Sequence, residues 1–320
     1  MNGSPRIVFC APGAKPEPWL RDLGRLLPDA DVFAWSEASD PGREDGHRAH
    51  ADYAIVWSPP DAFYASQTHL KAIFNLGAGV DGLMRAASLP SDLPVIRVED
   101  AGMAHLMSEY VVQAAVRYAR ELDVVEADGR DGRWAPRKPT DREDYPVGVM
   151  GAGALGRPVA QALVAQGFPL SIWMRSPKTI AGMRCFAGAE QLDAFLASTR
   201  ILVCVLPLTP DTENILDCDT LGKLMPEACV INVARGRHLV DADLLALIAE
   251  GRIVAATLDV FRTEPLPADH PFWKEPRITI TPHCSALTQR TATLAQIAEK
   301  IGKLERGEPV SGVVDRERGY

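Results

Sequence analysis

The sequence has 320 residues, a length that favours two domains with separate hydrophobic cores over one small domain. Hydrophobic residues make up 47% of the chain and charged residues 24%, close to the average for globular proteins, which argues against disorder and fibrous repeats. The 42 acidic residues outnumber the 34 lysines and arginines, and the net charge of -8 argues against general affinity for nucleic acid or anionic membranes.

The six cysteines indicate the compartment in which the chain works. They form no CxxC pair and no zinc-site spacing, which is typical of a reduced cytosolic protein with free thiols and no metal site. The first residues, "MNGSPRIVFCAPG", contain no apolar region of signal-peptide length, and no window approaches 18 uninterrupted apolar residues. We therefore expect a cytoplasmic protein.

The first hundred residues alternate short apolar runs with helix-prone segments. The runs are "RIVFCAP", "DVFAWS", "YAIVWSPP", "KAIFNLGAG" and "PVIRVED", and this alternation predicts a parallel sheet covered by helices. Apolar residues at 107, 111, 112, 115, 116 and 119 then predict one long helix of about six turns over residues 107–127.

A second unit follows a connection rich in charge, glycine and proline. It opens with "PVGVMGAGALGRPVAQALVAQGF" and continues with the strands "LSIWM", "RILVCVLP", "CVINVA" and "IVAATLDVF", a doubly wound pattern. The pattern alone leaves open to which unit the last strand, "ITITPHCSA", and the last helix, "TLAQIAEKIGKLERG", belong.

A glycine motif begins the second unit. Gly151, Gly153 and Gly156 form GxGxxG directly after a strand and directly before a helix, the context in which the motif binds a pyrophosphate. We therefore expect a dinucleotide on the loop formed by Gly151, Gly153, Ala154, Leu155 and Gly156. A glycine-rich turn without a ligand is the alternative.

The cofactor type depends on the end of the next strand. An Asp or Glu there would hold the ribose hydroxyls of NAD, but this chain has Arg175, Ser176 and Lys178 and no carboxylate. These groups suit a 2'-phosphate through charge-assisted hydrogen bonds, so the sequence favours NADPH, with NADH as a weaker cofactor. The alternative is a solvated basic turn.

Three further strands end in candidate catalytic residues. Arg235 follows "CVINVA", Asp259 and Glu264 follow "IVAATL", and His283 follows "ITITP". A carboxylate beside an imidazole stabilises its protonated form, so Glu264 and His283 would make a general acid near neutral pH. Arg235 can hold a substrate carboxylate in two parallel hydrogen bonds. Taken singly, each residue is also compatible with an ordinary surface or core position.

Five ordered motifs carry a resemblance to a known family. The glycine loop, "VLPLTPDT", "NVARG", "LDVFRTEPLP" and "TPHCSA" resemble the D-isomer-specific 2-hydroxyacid dehydrogenase family. "LKAIFNLGAGVD", "RVEDAGM" and the closing "VDRERGY" extend the likeness to its bacterial glyoxylate/hydroxypyruvate reductases of the A type.

The resemblance implies an α/β protein with a Rossmann-like cofactor domain inserted in a flavodoxin-like substrate domain. Residues 1–100, completed by 285–320, would form the substrate domain, and 101–284 the dinucleotide-binding domain. It also implies a homodimer with the 107–127 helix as a contact, and places the segment of Trp134 in a partner subunit.

The resemblance assigns roles to individual residues. It implies that Arg235, Glu264 and His283 are catalytic, and that Trp57, Ala78, Gly79 and Arg235 bind the substrate. It also implies that Leu206, Pro207, Ala234 and Asp259 contact the cofactor.

The function that follows is NADPH-dependent reduction of small 2-oxoacids, glyoxylate to glycolate and hydroxypyruvate to glycerate. Two alternatives remain open at this point. One is an NAD-dependent D-2-hydroxyacid dehydrogenase of the lactate or phosphoglycerate type, and the other is a nucleotide-sensing scaffold without catalysis.

Overall fold

The computed structural model describes residues 4–36, 50–138 and 140–320. They form two compact units, the first made of residues up to Gly102 together with Thr288–Tyr320, and the second of Met103–Leu287. Each unit is built on its own parallel sheet, which confirms the predicted α/β class. The twelve strands are β1 Arg6–Cys10, β2 Asp31–Ala34, β3 Tyr53–Val56, β4 Ala72–Asn75, β5 Val95–Arg97, β6 Val147–Met150, β7 Leu170–Met174, β8 Arg184–Ala187, β9 Ile201–Cys204, β10 Ala228–Asn232, β11 Ile253–Leu258 and β12 Ile278–Ile280.

Ten α-helices cover the two sheets in the described part of the chain. In both units the helices follow the strands and pack their apolar residues against the sheet, as crossover connections between parallel strands require. They are α1 Pro16–Leu26, α2 Asp61–Ser66, α3 Asp81–Met84, α4 Met103–Ala119, α5 Leu122–Arg130, α6 Gly156–Ala165, α7 Leu192–Ala197, α8 Cys218–Leu221, α9 Asp241–Ala249 and α10 Arg290–Glu305.

The first unit has the strand order β2-β1-β3-β4-β5, all parallel. This is the flavodoxin-like order. Helix α10 buries Leu294, Ile297, Ala298 and Ile301, the i, i+3, i+4, i+7 spacing of one helical face, and it packs beside α1 in this unit.

The second unit has the order β12-β11-β10-β9-β6-β7-β8, all parallel. Strand order reverses between β6 and β9, the switch point at which open α/β sheets bind ligands. Alternate side chains of β10 enter different cores: Val230 packs in the cluster on one face, and Cys229 and Ile231 in the cluster on the other. Both faces are therefore covered.

Strand β8 was not among the strands that the sequence pattern predicts. Within the described residues it is an edge strand that pairs with β7 alone, and of its four residues only Phe186 is buried. A strand with one buried side chain lacks the apolar run or the alternation that marks a strand in a sequence.

The predicted single helix over 107–127 is wrong. Helix α4 ends at Ala119, and Glu121 has a left-handed backbone with φ 50° before α5 begins at Leu122. Arg117 Nη2 lies 2.6 Å from Glu126 Oε2. On one continuous helix nine residues would rise about 14 Å, too far for this ion pair.

Among the described residues, no helix combines the length and apolarity needed to cross a membrane.

Candidate active site

The glycine loop connects β6 to α6, and its three glycines meet different surroundings. Gly151 has φ +112°, and a Cβ there would lie 2.7 Å from the carbonyl oxygen of Val205. A Cβ on Gly156 would lie 2.0 Å from the carbonyl oxygen of Gly151, so this glycine lets the helix approach the loop. A Cβ on Gly153 would meet nothing within 4 Å, which leaves open space beside that residue.

That open space fits a pyrophosphate. Gly153 and Ala154 are exposed at the start of α6, where backbone N–H groups attract an anion, and Leu155 directly precedes the helix. They border a depression of about 380 Å³, whose lining residues are Ala152, Gly153, Ala154, Arg157, Pro158 and Gln161. The loop therefore has the shape and the exposed backbone that a dinucleotide phosphate needs.

The predicted basic residues lie at the carboxyl end of β7, the neighbour of β6. Arg175, Ser176 and Lys178 are all exposed, directly after the strand ends at Met174. No Asp or Glu occurs between residues 170 and 189. The turn after β7 can attract a phosphate, and its own residues offer no carboxylate to a ribose.

Two other segments that the sequence assigned to the cofactor follow β9 and β10. Leu206 is buried, and the carbonyl oxygen of Pro207 accepts a hydrogen bond from Thr212 at 2.7 Å. Ala234 is buried directly after β10, with its N–H donating to Asn232 Oδ1 at 3.1 Å. These residues have fixed backbones at the ligand edge of the sheet.

The turn that carries Arg235 is held by two buried polar residues that the sequence analysis did not select. Asn232 Nδ2 donates to the carbonyl oxygen of Arg235 at 3.0 Å. The N–H of Arg235 donates to His238 Nδ1 at 3.2 Å, and His238 Nε2 lies 3.3 Å from the carbonyl oxygen of Pro207. The Arg235 guanidinium donates from Nη1 to the carbonyl oxygen of Ala234 at 2.7 Å.

Gly236 brings the Arg235 turn against the segment that carries Glu264. A Cβ at Gly236 would lie 1.8 Å from the carbonyl carbon of Phe261, so only glycine permits this approach. The N–H of Phe261 in turn donates to Glu264 Oε1 at 2.9 Å. The two turns are thus packed backbone to backbone.

The structure brings Glu264 and His283 together, with Nδ1 of the imidazole 2.8 Å from Oε2 of the carboxylate. Burial raises the pKa of Glu264, whereas the hydrogen bonds from His283 and from the Phe261 N–H lower it. With the nearby charge of Arg235 they hold the pKa of Glu264 below its ordinary value. The carboxylate is therefore ionised and accepts the Nδ1 proton, which leaves Nε2 of His283 for a substrate.

His283 has an unusual backbone, with φ 53° in the left-handed region. Its N–H donates to the carbonyl oxygen of Asp259 at 2.8 Å. The Asp259 carboxylate is fully buried and accepts the N–H groups of Cys284 and Ser285, each at 2.8 Å. Asp259, which the family resemblance assigned to the cofactor, thus has both oxygens bonded to the loop of His283.

In the first unit, the loop after β4 contains Ala78 and Gly79. Buried Asn75 donates from Nδ2 to the carbonyl oxygens of Gly77 and Gly79, at 3.0 and 2.9 Å. The Trp57 ring, 42% exposed, covers Gly77, where an added Cβ would lie 2.7 Å from the ring. Trp57 is therefore packed on this loop. The structure places Ala78 and Gly79 in the same ordered loop of that unit.

Fold and site define a dinucleotide-binding α/β protein in which a carboxylate supports an imidazole. A protein-family model, that of the D-isomer specific 2-hydroxyacid dehydrogenase NAD binding domain, matches residues 112–285. The chain belongs to the D-isomer specific 2-hydroxyacid dehydrogenase family, which confirms the family that the five motifs indicated.

Relatives of known type match nearly the whole chain. Glyoxylate/hydroxypyruvate reductase A of Serratia proteamaculans is 44% identical over 98% of this chain and 99% of its own length. A D-isomer specific 2-hydroxyacid dehydrogenase from Xanthobacter autotrophicus, crystallised with NADPH and MES, superposes with a TM-score of 0.93 at 38% identity, covering 99% of this chain and 100% of that one. An NADPH-dependent glyoxylate/hydroxypyruvate reductase from Sinorhizobium meliloti, crystallised with NADP and sulfate, has a TM-score of 0.90 at 34% identity with the same coverage.

Proposed function

We propose that this protein is an NADPH-dependent reductase of small 2-oxoacids, converting glyoxylate to glycolate and hydroxypyruvate to glycerate. The observation that carries the proposal is the 2.8 Å contact between Glu264 and His283, in a sheet edge that also holds Arg235. The relatives named as glyoxylate/hydroxypyruvate reductases support the substrate class.

The side chains have separate roles in the reaction. When bound, the reduced nicotinamide supplies a hydride to the carbonyl carbon of the oxoacid. Arg235 holds the substrate carboxylate through parallel N–H donors, which orients the carbonyl group. His283 gives the proton on Nε2 to the carbonyl oxygen, and Glu264 balances the positive charge of the imidazole before the transfer. The 2-oxoacid thus gains one hydride and one proton.

We propose NADPH as the cofactor. The glycine loop would hold the pyrophosphate, with Gly151, Gly153, Ala154, Leu155 and Gly156 as its residues. Arg175, Ser176 and Lys178 would hold the 2'-phosphate, and their exposure at the end of β7 supports this role. Leu206, Pro207, Ala234 and Asp259 are proposed to border the remainder of the cofactor.

In the first unit, Ala78 and Gly79 are proposed to donate backbone N–H groups to the substrate carboxylate, with Trp57 limiting the size of the substrate. The bonds from Asn75 to the neighbouring carbonyl oxygens support this role because they fix the loop's backbone.

We also propose that the protein acts as a cytoplasmic homodimer. All six cysteines are free, as a reducing compartment favours. Val124 and Val125 on α5 are 37% and 38% exposed, and Trp134 is 96% exposed. A partner subunit would cover these exposed apolar side chains.

A direct test is to mix the protein with NADPH and either oxoacid and to follow the absorbance of the reduced cofactor. Turnover with both substrates is expected. A protein that turns over neither glyoxylate nor hydroxypyruvate would refute the proposal. Turnover that is faster with NADH than with NADPH would favour the NAD-dependent alternative.

A further inference from the structure

Helix α4 is joined to the strands beside it by two tyrosine–threonine hydroxyl pairs. Tyr110 Oη lies 2.6 Å from Thr281 Oγ1, and Tyr118 Oη lies 2.5 Å from Thr257 Oγ1. The pairs have the same chemistry but different locations. Thr257 lies within β11, whereas Thr281 lies just beyond β12, two residues before His283.

The direction of the first pair follows from its third member. Thr281 Oγ1 lies 2.6 Å from Asp259 Oδ1. Asp259 Oδ1 is the acceptor of this bond, as it is for the N–H of Cys284, so the hydroxyl of Thr281 donates its single hydrogen to Asp259. Tyr110 must then donate to Thr281. The result is a one-way chain of donors from helix α4 to a fully buried carboxylate.

Asp259 is also the group that fixes the backbone around His283. Its two oxygens accept the N–H groups of Cys284 and Ser285, and its own carbonyl oxygen accepts the N–H of His283. A non-glycine residue at φ 53° persists only where its surroundings hold it. Rotation of the Asp259 carboxylate would release two of these three bonds.

We propose that Tyr110 and Thr281 are positioning residues for the reduction, which through Asp259 hold His283 where its Nε2 reaches the substrate. This inference rests on the proposed function. Thr281 acts on the carboxylate to which the loop is bonded, and Tyr110 acts on it through Thr281.

The Tyr110 hydroxyl is suited to this role over the whole working range of pH. Burial raises the pKa of its phenol to about 12; the hydrogen bond with Thr281 offsets part of this rise, and the charge of Asp259 adds to it. The group therefore remains a donor at neutral and mildly alkaline pH.

The test compares Tyr110→Phe and Thr281→Val with the matched controls Tyr118→Phe and Thr257→Val. Removing a hydrogen bond to the buried network is expected to lower kcat with glyoxylate by about tenfold in the first two variants. The KM for NADPH is expected to stay unchanged. The solvent deuterium isotope effect on kcat should increase because proton donation by a displaced imidazole limits the rate. Thr281→Ser should restore most of the activity.

A second measurement does not depend on activity. Cys284 and Cys218 are both exposed thiols. Partial burial and the charge and hydrogen bond of Asp259 raise the pKa of Cys284, and the hydrogen bond with Thr281 offsets part of this rise. Release of the loop should weaken these effects and speed alkylation of Cys284 by iodoacetamide. Peptide mass spectrometry measures this rate against that of Cys218 in the same sample. The ratio should rise in Tyr110→Phe and stay constant in Tyr118→Phe.

The outcomes separate the two proposals. Equal losses of kcat in the Tyr110→Phe and Tyr118→Phe proteins, or an unchanged alkylation ratio in Tyr110→Phe, would overturn the positioning role. A wild-type protein without oxoacid turnover would refute the reductase function, and the alkylation ratio would then still decide whether Tyr110 holds the His283 loop.

Discussion

His283 Nδ1 and Glu264 Oε2 lie 2.8 Å apart, although the two residues are nineteen positions apart in the chain. Strands β11 and β12 are parallel neighbours, so the segments that follow them leave the same edge of the sheet. The contact between Glu264 and His283 is therefore a result of strand order. Each of the two residues can be replaced singly to measure its contribution to the reaction rate.

Replacing His283 removes the proposed proton donor. His283→Asn should lower kcat by about 10²- to 10⁴-fold, the usual contribution of a general acid, while NADPH binding measured by fluorescence titration stays unchanged. Asn is the preferred replacement because it tolerates the left-handed backbone at this position. His105→Asn is the control, since His105 forms an exposed pair with Glu109 on α4 at 3.2 Å. Wild-type rates in His283→Asn would contradict the assignment.

Replacing Glu264 by Gln keeps an acceptor for the imidazole but removes the charge. Gln cannot balance the charge of a protonated ring, so Glu264→Gln should lower kcat by about tenfold or more while the KM for NADPH stays unchanged. The measurement is steady-state kinetics with glyoxylate. A wild-type kcat in Glu264→Gln would mean that the charge of the carboxylate contributes nothing to the reaction.

The lowered pKa of Glu264 predicts that this residue stabilises the folded protein in a pH-dependent way, which the same substitution can test. The pKa of Glu264 is lower in the folded protein than its ordinary value of 4.5. Such a group contributes stability above its unfolded pKa, and this contribution is lost as the pH falls through the folded pKa. Thermal unfolding should therefore show wild type more stable than Glu264→Gln at neutral pH, with the difference vanishing in acid below 4.5. A difference that persists there would indicate a packing defect.

Arg175 tests the choice of cofactor. Arg175→Asp replaces a cation with the carboxylate that NAD enzymes carry, so the KM for NADPH should rise by about tenfold or more, while that for NADH changes little. Lys274→Asp makes the same change of charge before the amino end of β12, opposite the edge where ligands bind. Lys274→Asp should leave the KM for NADPH and the KM for NADH unchanged. An equal rise in the KM for NADPH and for NADH in Arg175→Asp would contradict the proposal that Arg175 binds the 2'-phosphate.

The glycine loop offers a contrast between ligand binding and folding. In Gly153→Val the side chain enters open space, so the melting temperature should be preserved while NADPH binding weakens by more than about tenfold, or about 1.4 kcal/mol. In Gly156→Val the side chain would collide with the Gly151 carbonyl group, so the protein itself should be destabilised. Normal NADPH affinity in Gly153→Val would mean that the loop does not hold the cofactor.

Much of this architecture could be predicted because buried parallel strands are apolar runs. The runs before Gly151 and Arg235 each contain several buried residues in succession, and the ligand edge follows from their ends, whereas in the short strand before His283 only Ile278 is buried. Glu121 shows the limit. A left-handed residue at a position occupied by glutamate has no glycine or proline to mark it, so the break between α4 and α5 could not be predicted.

The polar residues that orient the site were harder to predict for a different reason. Asn232 and His238 stand within or beside apolar segments, and their partners are backbone groups, which have no sequence signature. Tyr110 and Thr281 are 171 residues apart. Only the packing of α4 against the sheet determines that they meet, whereas the glycine loop is local and its motif was sufficient.

The left-handed backbone of His283 also makes this position suited to chemical complementation. Glycine adopts such a φ without the penalty that an L side chain incurs, so His283→Gly would relax the loop and leave a ring-sized gap beside Glu264. Free imidazole added to that protein would occupy the gap and donate its proton to the carbonyl oxygen of the substrate. Analogues of graded basicity would then report, on one fixed scaffold, how much of the rate depends on proton affinity.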